Sequence, residues 1–275
     1  MKFSLIMATL GRKNEVDILL NSLVNQTYKY FELIIIDQNY DERVYEIYDK
    51  YKNCINIKYI RSNKKGLSYN RNIGLEKCSG DIVAFPDDDC EYNHDTLEKI
   101  YFFFKNTTYN FYTCNTRDKT SDMAIFNAEN KSTEINIRNV MHTAISFTIF
   151  VRYENIKNFR FDKQLGVGTR FGSAEESDML LYLLKNGNNG FYHSDSFIYH
   201  PHKKETIEKF YSYGKGYGAL YKKAVFVYKF YSLGLYFLYN KIIKEFVKLY
   251  LCPYEKGRIT SIKARLYGFI FYKLT

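Results

Sequence analysis

The first hundred residues predict an α/β fold built on a parallel sheet. Three observations carry this: short apolar runs that read as buried strands, segments of helical period between them, and the regular alternation of the two. Lys2–Ala8 and Phe31–Asp37 are rich in Ile, Leu and Phe, as strands covered on both faces require. Between them Val16, Leu19, Leu20, Leu23 and Val24 recur at helical spacing, which predicts an amphipathic crossover helix. Ile55–Ile60 reads as a third strand, Ser68–Cys78 as a helix and Asp81–Phe85 as a fourth strand, running into Pro86-Asp87-Asp88-Asp89. Ligands of open α/β sheets collect at the carboxyl ends of strands, where Asp37 and this acidic triplet both fall.

From Phe111 to Phe150 the pattern is mixed and short-stranded. Ser173–Lys185 predicts a helix with Ser173 as N-cap, an apolar stripe at Met179, Leu180, Leu183 and Leu184, and Asn186-Gly187 as the stop. Phe191–Tyr199 reads as a strand ending in His200-Pro201-His202, and the remainder is helical and dense in Tyr, Phe and Lys. In Gly214-x-Gly216-x-Gly218 the glycines follow a helical pattern rather than a strand, so close helix packing is expected there and not a phosphate loop.

The chain's 275 residues suffice for one large α/β domain with an appendage, and 46% hydrophobic with 18% aromatic residues excludes a disordered chain. The five cysteines, Cys252 among them, are odd in number and form no CxxC pair, which predicts reduced thiols in the cytosol rather than a disulfide framework or zinc site. Met1 opens directly onto a strand-like run, which predicts no signal peptide. Charge divides the chain. From Lys203 onward there are 15 Lys/Arg against 4 Asp/Glu, leaving 25 against 26 in residues 1–202. The expected organisation is therefore an α/β domain over 1–202 and a basic, aromatic helical extension over 203–275. A neutral body with a basic tail points away from nucleic acid and toward an anionic surface.

Three consecutive aspartates repel one another, and each resists ionising beside the others. A divalent cation removes that penalty, since hard oxygen ligands suit Mg²⁺ or Mn²⁺. The alternative is a solvated acidic turn leading into the next helix, with Asp95 as that helix's N-cap.

The ordered set of motifs resembles the family 2 inverting glycosyltransferases of the GT-A fold, in the bacterial surface-polysaccharide branch. The matching pieces are Phe31–Asp37 after Gln26-Thr27, then Gly66-Leu67-Ser68 with Arg71-Asn72 and Gly74, then Gly80–Asp89. Phe161-Asp162, Leu165–Gly168, Gly172–Asp178, Tyr199-His200-Pro201 and Tyr213–Ala219 follow, so the resemblance covers about residues 1–220. It implies a mixed α/β sheet flanked by helices and metal-dependent transfer from a nucleotide-sugar donor of UDP type. Ala8, Thr9 and Arg12 would line the nucleotide pocket. Asp88 would contact the ribose, Arg71 would lie near the diphosphate, Asp87 would be among the donor-binding residues, and Asp89 would ligate Mn²⁺ or Mg²⁺. Where many members carry two acidic residues after the second strand, this chain has Asp37-Gln38. A glutamine amide both donates to and accepts from a pyrimidine edge, so base recognition is kept while its uracil specificity is weakened.

An inverting transfer needs a general base for the acceptor hydroxyl. At 100° per residue, Glu176 lines up with Leu180 and Leu183 on the apolar face. Glu175 lies about 100° away and Asp178 about 160° away, toward solvent. Ser173-x-x-Glu176 also fits a capping box, in which Glu176 only bonds back to the N-cap backbone. The resemblance assigns the base to the second member of an acidic pair, which is Glu176, with Asp178 as runner-up.

His200, at the end of a strand, is a candidate further metal ligand or a structural residue, and His202 a weaker one. His94 and His142 read as structural. The hydrophobic stretch Val225–Asn240 is too short and charged for a membrane span. With Lys241, Lys244 and Lys248 beside Phe246, Val247 and Leu251, it predicts either a helix lying in the interface of an anionic membrane or an aromatic bundle against protein. The expected function is sugar transfer to a glycan or lipid-linked acceptor by a cytoplasmic enzyme, peripheral on the inner face of the membrane. An idle nucleotide-sugar-binding subunit docking a partner enzyme is the alternative. A nucleotidyltransferase would show a glycine-rich basic signature after the first strand, where Ala8–Arg12 offers one glycine.

Overall fold

The structure is a computed structural model, and it describes residues 1–121, 123–124, 131–202, 206–251 and 256–274. Cys252 and Lys203 lie outside the described residues, as do the side chains of Leu251 and Lys256. The chain forms two compact units, one of residues 1–65, 69–160 and 187–202, the other of 66–68, 161–186 and 203–275. The basic tail is therefore not a unit by itself: residues 161–186, with the predicted catalytic helix, belong with it. Charge composition marks the break at 202 but carries no signal for a segment that joins the tail through contacts distant in sequence.

The first unit is built on an eight-stranded mixed sheet. Its strands are β1 (Phe3–Thr9), β2 (Phe31–Asp37), β3 (Asn56–Arg61), β4 (Ile82–Ala84), β5 (Phe111–Arg117), β6 (Thr133–Ile135), β7 (Phe150–Arg152) and β8 (Gly190–Tyr199), in spatial order β3-β2-β1-β4-β7-β5-β8-β6. The first four pair in parallel, and antiparallel β7 joins them to the parallel pair β5 and β8. Phe3 opposes Phe31 and Thr9 opposes Asp37, so the two strands end side by side.

Alternation along β1 separates the two faces of the sheet. Phe3, Leu5 and Met7 join one core with Leu33 and Ile35. That core also takes in Val16, Leu19, Leu20 and Leu23 of α1 (Asn14–Val24), Val44 and Ile47 of α2 (Arg43–Tyr51), and Leu97, Ile100 and Phe104 of α4 (Thr96–Asn106). On the opposite face Gly74 of α3 (Leu67–Lys77) sits so close that a Cβ would fall 2.2 Å from Ile6 Cγ2. Gly80 likewise lies where a Cβ would stand 2.7 Å from the Ser4 nitrogen. That approach puts the Ser79 and Gly80 amides on the β1/β2 polar cluster, where Ser4 Oγ donates to the buried Glu32 at 2.6 Å. Asp95 precedes α4, as expected, but accepts no capping hydrogen bond with its side chain.

The second unit is helical: α6 (Glu175–Lys185), α7 (Ile207–Phe226), α8 (Tyr231–Tyr236), a π-helical stretch Phe237–Ile243, α9 (Lys244–Leu251) and α10 (Lys256–Phe271), the short α5 (Tyr153–Ile156) belonging to the first unit. Thr206 caps α7, its Oγ1 accepting from the Lys209 amide. The glycines of α7 serve helix packing. A Cβ on Gly218 would lie 2.1 Å from the Arg265 carbonyl oxygen of α10, and one on Gly214 would lie 2.7 Å from Ala264 Cβ.

Candidate active site

The site in the first unit begins at the end of β1. Ala8 is half-buried and Thr9 is buried, and Thr9 Oγ1 donates to Asp88 Oδ2 at 2.7 Å. Gly11, at φ +79°, turns the chain in the left-handed region that favours glycine. The Arg12 guanidinium then reaches two of the three aspartates. Its Nη1 lies 2.8 Å from Asp88 Oδ1 and 2.5 Å from Asp89 Oδ2. Burial pushes the Asp88 carboxyl up to about 6, against the pull of Arg12 and of the Thr9 hydrogen bond, with Asp87 and Asp89 adding to the upward push.

Asp87 is held from the other side. The Arg71 Nη2 donates to its Oδ1 at 2.9 Å, and Ser146 Oγ donates to the same oxygen at 3.2 Å. Arg71 is 1% exposed and lies against the Phe85 ring. The triplet is thus no solvated turn: Asp88 and Asp89 are buried and all three carboxylates are ion-paired.

His200 completes the cluster. A backbone bridge between Glu91 and Tyr199, with hydrogen bonds of 2.9 and 3.0 Å, fastens the end of β8 beside the triplet. His200 stacks on Phe147, with ring centroids 4.8 Å apart and planes 7° from parallel, and its Nε2 lies 3.1 Å from Asp89 Oδ1. Its Nδ1 lies 2.9 Å from the Pro201 carbonyl oxygen, a group that only accepts, so Nδ1 carries the proton. Nε2 then faces a carboxylate, an arrangement that either a proton on Nε2 or a cation between the two groups satisfies. Metal-bound imidazoles have this second hydrogen bond to a carbonyl. Ligand atoms of Asp87, Asp89 and His200 all lie within 4.8 Å of one another. Two carboxylates and one such imidazole are a donor set suited to Mn²⁺ or Mg²⁺.

Other predicted donor residues behave differently. Asp37 is fully buried; Asn39 donates to its Oδ1 from both backbone and side chain, and the Tyr59 hydroxyl donates to its Oδ2 at 2.6 Å. It presents no open carboxylate, and instead fixes Asn39, whose Oδ1 accepts from the Gly11 amide at 2.7 Å. Gln38 Nε2 lies 3.3 Å from the Thr9 carbonyl. Sequence reasoning missed Ser146, Phe147 and Asp118, the last accepting from the His202 amide at 2.7 Å and so holding the chain after His200. They stand in the mixed segment with no motif around them, and only the fold brings them to the site.

In the second unit α6 departs from its predicted start. Ala174, at φ +74°, is the N-cap, and Ser173 Oγ donates to the Tyr213 carbonyl instead of capping, so no capping box forms. The carboxylates are also ordered differently from the helical-wheel expectation. Glu176 is only half-buried, while Glu175 is 4% and Asp178 1% exposed. The side expected to face water is covered by α7 and the turn after it. Lys223 Nζ lies 2.6 Å from Asp178 Oδ2, and the Tyr228 hydroxyl donates to Asp178 Oδ1 at 2.7 Å. Burial pushes the Asp178 carboxyl up, opposed by Lys223 and Tyr228. Glu175 lies against Gly166, where a Cβ would meet its Oε2 at 3.1 Å.

This sheet order, with the polar cluster at the ends of β1 and β4, is that of the GT-A fold. Residues 4–171 match the family model "Glycosyl transferase family 2", and the chain belongs to that family. It is similar to the Staphylococcus aureus poly(ribitol-phosphate) beta-N-acetylglucosaminyltransferase TarS, 33% identical over 102 residues, which is 36% of this chain and 18% of TarS. The same organism's TarP, also a poly(ribitol-phosphate) beta-N-acetylglucosaminyltransferase, is 32% identical over 108 residues, 38% of this chain and 33% of TarP. The matched segments thus span at most a third of either relative. Among solved structures, TarS 1–349 in complex with UDP-GlcNAc aligns with a TM-score of 0.66 at 22% identity, over 80% of this chain and 66% of that one. The Pyrobaculum calidifontis mannosyltransferase PcManGT, in complex with GDP-Man and Mn²⁺, aligns with 0.63 at 14% identity, over 81% and 64%. These likenesses show the shared GT-A fold.

Proposed function

We propose that the chain transfers a sugar, with inversion, from a nucleotide-diphosphate donor of UDP type to a hydroxyl of a glycan or lipid-linked acceptor in cell-surface polysaccharide synthesis. The carrying observation is the cluster of Asp87, Asp89 and His200, with the far nitrogen of the imidazole committed to a carbonyl. Those three residues would hold Mn²⁺ or Mg²⁺. Bound there, the ion neutralises charge developing on the leaving diphosphate. Arg71, buried and fixed, adds a positive charge beside them, and Thr9 and Asp88 line the nucleoside side. Asp37 acts through Asn39, setting the loop after β1. Glu176 takes the proton of the acceptor hydroxyl as its oxygen attacks the anomeric carbon; the bond from that carbon to the diphosphate oxygen breaks and the nucleoside diphosphate leaves. Half-burial of Glu176, with Asp178 engaged by Lys223, supports that assignment. The names of TarS and TarP, and the UDP-GlcNAc complex of TarS, support the donor class.

Hydrolysis of a panel of nucleotide sugars with Mn²⁺ tests the reading. Asp89→Asn is expected to lose both Mn²⁺ binding and turnover, while Glu176→Gln loses transfer and keeps donor affinity. Donor binding that needs metal but never turns over would favour an idle binding subunit.

The C-terminal helices support a location at an anionic membrane surface. Tyr231, Leu235, Leu238, Tyr239, Phe246 and Val247 are exposed apolar residues along α8, the π-helical stretch and α9, and Lys241, Lys244 and Lys248 stand among them. No helix among the described residues is long and apolar enough to cross a membrane. Salt-sensitive co-sedimentation with phosphatidylglycerol vesicles, lost in Leu235→Glu/Leu238→Glu, is the expected result; equal sedimentation of that variant refutes it. Truncation at 202 is a poor test, because residues 161–186 share a unit with the tail.

A further inference from the structure

We propose that Arg12 is the resident counter-ion of the acidic triplet, exchanged off Asp88 and Asp89 when a divalent cation enters and thereby released for the donor's diphosphate. This rests on the metal reading above and concerns how the site is charged and emptied.

Three aspartates meet two guanidiniums here, and the two are not equivalent. Arg71 is 1% exposed, fixed to Asp87 and packed on Phe85. The Arg12 side chain is 27% exposed and stands just after the glycine turn at Gly11. Arg71 is built in, whereas Arg12 has solvent access. Yet Arg12 makes the closer contact, 2.5 Å from the oxygen of Asp89, whose side chain is 2% exposed. Asp89 is also one of the three candidate metal ligands. A divalent cation on Asp89 would stand within a few ångströms of the guanidinium, and like charges at that range repel strongly in so buried a place. Asp89 cannot serve both cations well, and the one with solvent access yields.

Formal charge gives the second half of the argument. Asp87, Asp88 and Asp89 against Arg12 and Arg71 leave the site at −1. Entry of a divalent ion takes it to +1, and a diphosphate carrying about two negative charges returns it to −1. A released guanidinium, with its fork of donors, suits phosphate oxygens. Arg12 therefore makes cation and nucleotide binding interdependent: it opposes the first alone and favours the second once the cation is in place.

The test uses the full chain with ¹⁵N-labelled arginine side chains, the Arg12 signal being assigned by its disappearance in Arg12→Lys. Titration with Mg²⁺ alone should shift the Arg12 Nε–H resonance and speed its exchange with water, while the Arg71 signal keeps its protection. In parallel, Arg12→Ala should bind Mn²⁺ roughly tenfold more tightly and, at saturating Mn²⁺, bind UDP roughly tenfold more weakly. An Arg12 signal unchanged at Mg²⁺ saturation overturns the proposal, because loss of a distant charge could alter both affinities without any exchange. Unaltered Mn²⁺ affinity in Arg12→Ala overturns it as well. If the wild-type chain binds neither ion, the metal reading itself fails and Arg12 is a permanent partner of the triplet.

Discussion

Replacing Lys223 by methionine tests whether Asp178 is a structural carboxylate of α6, which leaves the proposed role of base to Glu176. Lys223 is buried, with its Nζ 2.6 Å from Asp178 Oδ2 and 3.2 Å from Asp162 Oδ2. Tyr228 and Tyr272 donate to the same two carboxylates. Methionine fills much of the volume, so the loss is electrostatic: two carboxylates remain with no cation between them. Breaking such a pair costs about 3–5 kcal/mol, a large share of the 5–15 kcal/mol that holds a typical domain folded. Asp178→Asn should cost less, because Lys223 keeps Asp162, and the double variant should recover part of the loss of Lys223→Met. The sign of the pH dependence follows from the raised Asp178 carboxyl. A folded-state pKa above the unfolded one means the native state binds more protons, so the deficit of Lys223→Met is greatest at neutral pH and shrinks as pH falls through that value. Urea denaturation from pH 5 to 8 measures this. Asp178→Asn should also keep transfer activity in its folded fraction. A loss under about 1 kcal/mol in Lys223→Met at neutral pH would refute the electrostatic account, and a folded but inactive Asp178→Asn would return the base to Asp178.

Glu32 offers a second pH signature. Burial pushes its carboxyl up, but hydrogen bonds from Ser4, Lys2, Lys58 and the Ser79 amide outweigh it and bring it to about 2. A depressed pKa stabilises above the unfolded value of 4.5 and is lost as pH falls toward 2. Wild-type stability should therefore fall by roughly 2 kcal/mol more than that of Glu32→Gln across that window, by acid titration at fixed urea. Gly218→Ala should destabilise the helical unit by about 1–3 kcal/mol, since its Cβ meets backbone at 2.1 Å, whereas Gly257→Ala has nothing within 4 Å and should be neutral or stabilising in thermal melts. Phe147→Ala, which removes the ring under His200, should weaken Mn²⁺ binding of the folded protein roughly tenfold by calorimetry and, because the ring is buried in the core, cost about 3–5 kcal/mol in thermal or urea melts.

The four strands and the helices α1 and α3 of the first hundred residues were legible because each announces itself locally, whereas α2 was not singled out. β2 is buried along its whole length, and its apolar run says so. α1 buries Val16, Leu19, Leu20 and Leu23, which the helical spacing picked out. The third strand was placed within a residue, yet it is the sheet edge and only half-buried, a difference that an apolar run does not report. The triplet was found from the oddity of three adjacent carboxylates, and His200 from its place at a strand end. α6 shows the limit. Helix geometry ranked its carboxylates by one apolar stripe, but the opposite side is covered too, and the residue assigned to solvent is the most buried of the three.

Composition, period and motif order determined the first four strands, β8, the helices α1, α3 and α6, the family and the acidic cluster, since these depend on which residues neighbour one another along the chain. Tertiary structure decided which cation stands on which carboxylate: Arg12 on Asp88 and Asp89, Arg71 on Asp87, Lys223 on Asp178. It also decided that residues 161–186 join the basic tail. Ion pairs of this kind span from 16 to 77 residues of sequence and are selected by burial, because a charge taken out of water must find its partner wherever the fold brings one.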